Sequence, residues 1–149
     1  MPLNIKDLKI TCADFQPLEM MADHHAGDKG NVLPKLTVSG VPADAKELAD
    51  HDPDAPLAHG FTHWTVYGID PKATDLSDAQ EKYRKSARNG AGHMYYGPQP
   101  PAGHGKHHYY FWVYALDTEV EGTPTREEFL NTYADNIIEQ NRIVGLYEN

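Results

Sequence analysis

Residues 61–69 alternate in a way that only an extended chain can use. Phe61, His63, Thr65, Tyr67 and Ile69 share one parity, and Thr62, Trp64 and Val66 share the other. Side chains two apart lie on one face of a strand. Aromatic and β-branched residues occupy both parities, so the pattern predicts a strand covered on both sides. A second apolar run, His107-His108-Tyr109-Tyr110-Phe111-Trp112-Val113-Tyr114-Ala115-Leu116, predicts a central strand. Leu36-Thr37-Val38 predicts a short strand closed by Gly40 and Pro42, and the weak alternation of residues 3–11 predicts an edge strand. The period changes near the C-terminus. Phe129, Tyr133 and Ile137 recur every four residues, as do Leu130, Ala134 and Ile138, with Glu127, Asp135, Glu139 and Gln140 between them. That is a helical period. Thr125 with Glu128 three residues on is a capping box that starts the helix, and Pro124 discourages an earlier start.

Between these elements the apolar pattern fails. Residues 12–31 carry Pro17, Gly27, Gly30 and the pair His24-His25, and are read as irregular with both histidines exposed. Residues 43–50 are small or charged around Leu48 and are read as loop. In Asp52-Pro53-Asp54-Ala55-Pro56, two prolines remove two backbone donors, so the segment is read as a turn that cannot enter a central strand. Residues 72–92 are polar, with a short surface helix expected over 77–85 and Ser77 as its N-cap. Residues 95–105 form a loop stiffened by Pro98, Pro100 and Pro101 and freed by Gly97, Gly103 and Gly105. Ile143-Val144-Gly145-Leu146-Tyr147 is read as a last strand or a packed tail. Short strands dominate and a helix covers one side, which is an α+β chain, mainly β.

Composition narrows the classes. At 149 residues the chain fits one domain, 1–149, able to bury a core. Hydrophobic residues are 40 % and charged residues 23 %, which is globular rather than disordered. The net charge of −9 offers no basic stripe to nucleic acid or to anionic membrane surfaces. It leaves room for one anion in a local pocket. Cys12 is the one cysteine, so neither a disulfide framework nor a cysteine metal cluster is expected. No signal peptide and no transmembrane stretch is expected, and the cytoplasm is the expected compartment.

The candidate chemistry sits where turns meet strands. Asp52 and Asp54 lie just before His63, and His107-His108 follow a Pro/Gly loop able to expose backbone N–H groups. The plainer alternative is that the aspartates serve the turn through their own backbone and that a histidine caps its strand. Either way, one of His107 and His108 should be exposed, because neighbours in a strand face opposite ways.

Taken together, Asp52-Pro53-Asp54-Ala55-Pro56, His63-Trp64, Gly97-Pro98-Gln99-Pro100-Pro101 and His107-His108-Tyr109 resemble the phosphatidylethanolamine-binding protein family. The branch they resemble most is the bacterial and archaeal Raf-kinase-inhibitor-like one. Asn31-Val32-Leu33-Pro34, Ser39-Gly40-Val41-Pro42 and Gly145-Leu146-Tyr147 fit the same pattern, so the resemblance spans nearly the whole chain. It implies two packed, antiparallel-rich sheets with peripheral helices, a C-terminal helix among them. It also implies a small pocket for phosphate, a phospholipid headgroup or a similar oxyanion. Carried over by position, the lining is Asp52, Asp54, Phe61, His63, Gly97, Pro101, His107 and Tyr109.

The chain departs from the family in three places. Glu47-Leu48-Ala49-Asp50-His51 is short and polar where the family has an apolar strand. His108 stands where arginine is usual, which removes a guanidinium fork. Met94-Tyr95-Tyr96-Gly97 is bulkier than the family's glycine-rich approach to the pocket.

No nucleophile has an evident activating base and no Gly-x-Ser-x-Gly elbow occurs, so the expectation is a binding protein without catalysis, cofactor or metal. Its expected partners are a small anion or headgroup and, by the resemblance, a protein kinase or protease; a homodimer is compatible with the sequence. The rival reading is a metalloenzyme on a β-scaffold, using Asp52, His63, His104 and His107.

Overall fold

The two apolar runs and the capping box become the frame of the molecule. The computed structural model describes residues 7–22, 35–54, 61–72, 76, 84–85 and 107–147, with main chain alone at 51–54, 61–64, 84–85 and 107. In chain order the described strands are β1 (Lys9–Cys12), β2 (Leu36–Ser39), β3 (Glu47–Asp54), β4 (Phe61–Ile69), β5 (Arg84–Lys85), β6 (His107–Leu116) and β7 (Ile137–Tyr147). Helix α1 (Arg126–Tyr133) and a 3-10 turn (Ala134–Asn136) lie between β6 and β7. β1 pairs with β2, and the other five strands form one sheet in the order β5-β4-β3-β6-β7. Every one of these pairings is antiparallel.

Strand alternation sorts β6 between two cores. Tyr109, Phe111, Val113 and Ala115 join Leu48, Val66, Ile69 and Ile143 in one cluster, which the β1-β2 ladder covers with Ile10, Cys12, Leu36 and Val38. Tyr114 and Leu116 face the other way and pack with Tyr67, Val120, Phe129 and Ile137 beneath α1. Burying a large apolar side chain contributes about 1.5–3 kcal/mol, so both faces of the sheet contribute to stability. Phe129 is the centre of the second cluster, with its ring centroid 5.5 Å from Tyr67 and 5.4 Å from Tyr114. Burial pushes the phenols of Tyr67 and Tyr114 well above the usual tyrosine range, although Arg126 nearby pulls the other way. It also pushes the Cys12 thiol up.

The first and last strands are tied together. The Glu139 carboxylate accepts from the N–H groups of Asp7 at 2.8 Å and Leu8 at 3.2 Å, and Asn141 Nδ2 donates to the Leu8 carbonyl at 2.9 Å. Residues 18–21 run beside β7: Leu18 N–H donates to Val144 at 2.7 Å, Met21 N–H to Leu146 at 2.7 Å, and Leu146 N–H to Glu19 at 2.9 Å. The sheet edge along β7 is thus closed by the chain's own N-terminal part. Gly40 holds φ +67°, and a Cβ there would stand 2.0 Å from the Asp7 carbonyl, so the turn after β2 admits no side chain.

Several expectations are corrected. Residues 47–50 are strand, not loop. The Glu47 carboxylate accepts from Gly68 N–H at 2.6 Å and from Val120 N–H at 2.9 Å, so its charge sits inside, at 3 % exposure. Asp52, Pro53 and Asp54 are not an isolated turn but the end of β3, between β4 and β6. Pro53 is tolerated because the β4 register shifts between Asp52 and Pro53, and the β6 pairing passes from His51 to Asp54.

The predicted helix stops at Tyr133, and Ile137 to Gln140 begin β7. Ile137 still packs on the Phe129 cluster, but from a strand, and Glu139 and Gln140 are buried rather than on a solvated face. Ile69 does not share a face with Tyr67. The register shifts beside Gly68, which holds φ +77°, and Ile69 joins the cluster of Val66. Arg84 and Lys85 pair with Tyr67 and Val66 as β5 instead of ending a helix; the rest of that predicted helix, 77–83, lies outside the described residues.

Candidate functional site

β3, β4 and β6 are neighbours, and the residues singled out in the sequence occupy the same end of all three. β3 reaches that end with Asp52 and Asp54, β4 starts there with Phe61 and His63, and β6 starts there with His107 and Tyr109. Asp54 lies opposite Phe61 on one side and opposite Tyr109 on the other, and Asp52 lies opposite Trp64. Six positions that span more than fifty residues of sequence therefore meet within two steps of the ladder. Opposed residues in an antiparallel pair stand about 4.5–5.5 Å apart at Cα. Gly97 and Pro101, the remaining lining positions, lie outside the described residues, as do His24, His25 and His104.

Tyr109 is the site residue whose side chain is described. It is 3 % exposed and belongs to the larger core cluster. Its neighbour on β7 is Gly145, where a Cβ would stand 2.7 Å from Met21 Cγ and Sδ and 3.0 Å from Phe15. Glycine at 145 thus lets Phe15 and Met21 close over the strand beside Tyr109, and Phe15 continues onto Phe111 at 5.8 Å. A phenol set in such packing is rigid. His108, one residue earlier, is exposed, as alternation requires of one of the pair.

One acidic residue escaped the sequence reading. Asp50 is fully buried on β3, between Val66 of β4 and Val113 of β6. The signal was present, since Asp50, Asp52 and Asp54 repeat every second residue; reading 43–50 as loop hid it.

The other end of β4 carries different chemistry. A surface cleft of about 290 Å³ lies there, lined by Val41, Pro42, Ala43, Ala45, Asp70, Pro71 and Lys72. Asp70 Oδ1 accepts from the Lys72 N–H at 2.9 Å, which makes it a turn carboxylate. The residues lining this cleft include no histidine and no tyrosine. Among the described residues no group of three or more histidine, cysteine or acidic side chains is placed to hold a metal ion, and no helix is long and apolar enough to cross a membrane.

The comparisons concern the family and the fold. The family model for the phosphatidylethanolamine-binding protein matches residues 7–148. A UPF0098 protein of Pyrococcus abyssi is 41 % identical over 131 residues, covering 79 % of this chain and 72 % of that protein. Among solved structures, Escherichia coli YbcL, described as a member of the mammalian PEBP family, matches at TM-score 0.84 and 27 % identity over 97 % of this chain and 99 % of that one. The PEBP homolog CT736 of Chlamydia trachomatis matches at TM-score 0.86 and 27 % identity, over 95 % of this chain and 97 % of its own. These matches, along nearly the whole chain, are to a family whose members are generally binding proteins. The chain belongs to the phosphatidylethanolamine-binding protein family.

Proposed function

We propose that this protein binds a small phosphorylated ligand (phosphate itself, a phospholipid headgroup or a phosphate ester) at the shared end of β3, β4 and β6, and performs no chemistry on it. The observation that carries the reading is the register that sets Asp54 between Phe61 and Tyr109, with Asp52, His63 and His107 within two positions. An oxyanion needs donors, and two imidazoles and a phenol provide them. Carboxylates beside an anion become useful when the ligand carries a proton or an ammonium, because each can then accept from it. Tyr109 is held in packed core, which suits a preorganised site that loses little entropy on binding.

Calorimetry with phosphate and phosphoethanolamine tests the reading. His63→Ala and His107→Ala should each weaken binding by about ten- to a hundredfold, the worth of one charge-assisted hydrogen bond. His24→Ala and His25→Ala should leave affinity unchanged. Equal affinity in all four folded variants would place the ligand elsewhere.

A further inference from the structure

Both exposed large hydrophobic residues among those described, Leu18 at 59 % and Met20 at 44 %, lie along the β7 edge of the larger sheet. Leu18 N–H donates to the Val144 carbonyl, and Met20 bridges Leu146 in parallel. Leu18 also holds φ +63°, a left-handed conformation that a bulky side chain rarely adopts. A mostly exposed side chain gains little burial to offset that strain. The sheet face beside this edge is apolar too. On β6, His108, Tyr110 and Trp112 stand opposite Leu146, Val144 and Arg142 of β7. Tyr110, Trp112, Val144 and Leu146 are half-buried, and Arg142 and His108 are exposed. The Arg142 guanidinium lies over two rings, 5.7 Å from the Tyr110 centroid and 5.0 Å from that of Trp112. Trp112 stacks in turn on Tyr114 at 6.0 Å, and Tyr114 meets Phe129 at 5.4 Å. The platform is thus anchored in the second core, on the side of β6 away from Tyr109.

We propose that this face of β6 and β7, with the edge at Leu18 and Met20, docks a short extended segment of a partner protein that carries one carboxylate and apolar side chains two and four positions from it. Charge selects the class. The chain carries −9 overall, yet the charge on this face is the Arg142 guanidinium. A ring engages the charge of a guanidinium and leaves its N–H donors for a carboxylate, which it meets with two parallel bonds. Phosphoryl groups are taken by clusters of arginine, and among the described residues this face holds one. Size selects a peptide over a second copy. The three rungs from Trp112 to His108 span about 14 Å along the strands, and β6, β7 and the edge segment about 10 Å across. With side-chain margins that is on the order of 300 Å², whereas each side of a stable interface buries about 800 Å². Alternate side chains of an extended peptide share a face, so an acid over Arg142 sets the next two over Val144 and over Leu146 with Met20. Rings already locked in the core lose little entropy on docking, and backbone strain such as that at Leu18 is kept where a surface has a task.

The probe is a phage-displayed library of random heptapeptides, panned on the full-length protein with Arg142→Ala as counter-selection. Enriched sequences should share an aspartate or glutamate with apolar residues two and four positions away, and a synthetic peptide of that consensus should bind in solution. Changing its acid to the amide should weaken binding to wild type about tenfold or more, but binding to Arg142→Ala by no more than about twofold, because the carboxylate has already lost its partner there. Arg142→Lys keeps the charge without the fork and should still lose about fivefold or more. Leu18→Gly should weaken the peptide about threefold or more without lowering the urea midpoint, since glycine takes a positive φ without strain. Near-ultraviolet circular dichroism like that of wild type is required of each variant, and Arg142→Gln replaces alanine where the ring stack is disturbed. No enrichment over Arg142→Ala, or an acid whose removal costs the same in both proteins, overturns the proposal. So does a dimer in sedimentation that Met20→Glu dissolves, or Arg142-dependent flotation with vesicles of phosphatidylcholine and phosphatidylglycerol, since either gives the face to another occupant. No outcome depends on the ligand at the shared strand ends.

Discussion

Glu47 is the residue on which the centre of the sheet depends. Its two oxygens accept from Gly68, at the irregularity in β4, and from Val120, in the connection that follows β6. Each N–H is a main-chain donor that needs a partner once water is excluded. Glu47→Ala removes both acceptors at once, and each orphaned buried donor costs about 1–3 kcal/mol, so a loss of roughly 2–6 kcal/mol is expected. Glu47→Gln should also destabilise, because the amide presents one acceptor and one donor to two donors. Urea denaturation checks this: the midpoint should fall with little change in slope. A loss below about 0.5 kcal/mol in Glu47→Ala would mean that relaxation or water replaces the carboxylate. Gly145 makes the complementary point, since the absence of a side chain there lets Met21 and Phe15 cover β7.

At the scale of elements, what could be read was whatever follows a single rule. β4 has the predicted bounds, because aromatic and β-branched residues on both parities suit a strand buried on both sides. β6 follows from its unbroken apolar run. α1 starts where the capping box puts it: Glu128 N–H donates to Thr125 Oγ1 at 3.3 Å, and Thr125 N–H donates to the Glu128 carboxylate at 3.2 Å. What could not be read was decided by partners distant in sequence. β3 looked like loop because Glu47 and Asp50 are acids, and only the neighbouring strands make them interior. The start of β7 looked helical because Ile137 keeps the four-residue spacing of Phe129 and Tyr133. The chain meets that packing demand after a 3-10 turn, from a strand. The site was legible in outline through short motifs at strand ends. Asp50 was not, because a carboxylate's burial is a property of the sheet.

For the whole molecule, burial on both faces of the sheet leaves a signature in alkaline stability. Tyr67 and Tyr114 under α1, and Cys12 at the end of β1, all have raised proton affinities, chiefly through desolvation. The unfolded chain releases these protons first, near pH 8.5 for the thiol and about 10 for the phenols. Their contribution is therefore fully present below those values and declines as pH rises from there toward the raised folded values. Urea midpoints should fall steadily between about pH 9 and 11, and Tyr67→Phe, which removes one of the protons, should flatten the slope. An unchanged slope in that variant would show that the phenol titrates alike in both states.

The central claim, that the shared end of β3, β4 and β6 is the ligand site, is tested most directly by amide chemical-shift mapping. The full-length, nitrogen-15-labelled protein is titrated with phosphoethanolamine. The largest shifts should fall on the amides of Asp52, Asp54, Phe61, His63, His107 and Tyr109, with Asp50 next. The cleft at Ala43 and Lys72 should stay quiet. Shifts concentrated at that cleft, or no saturable shift anywhere, would contradict the account.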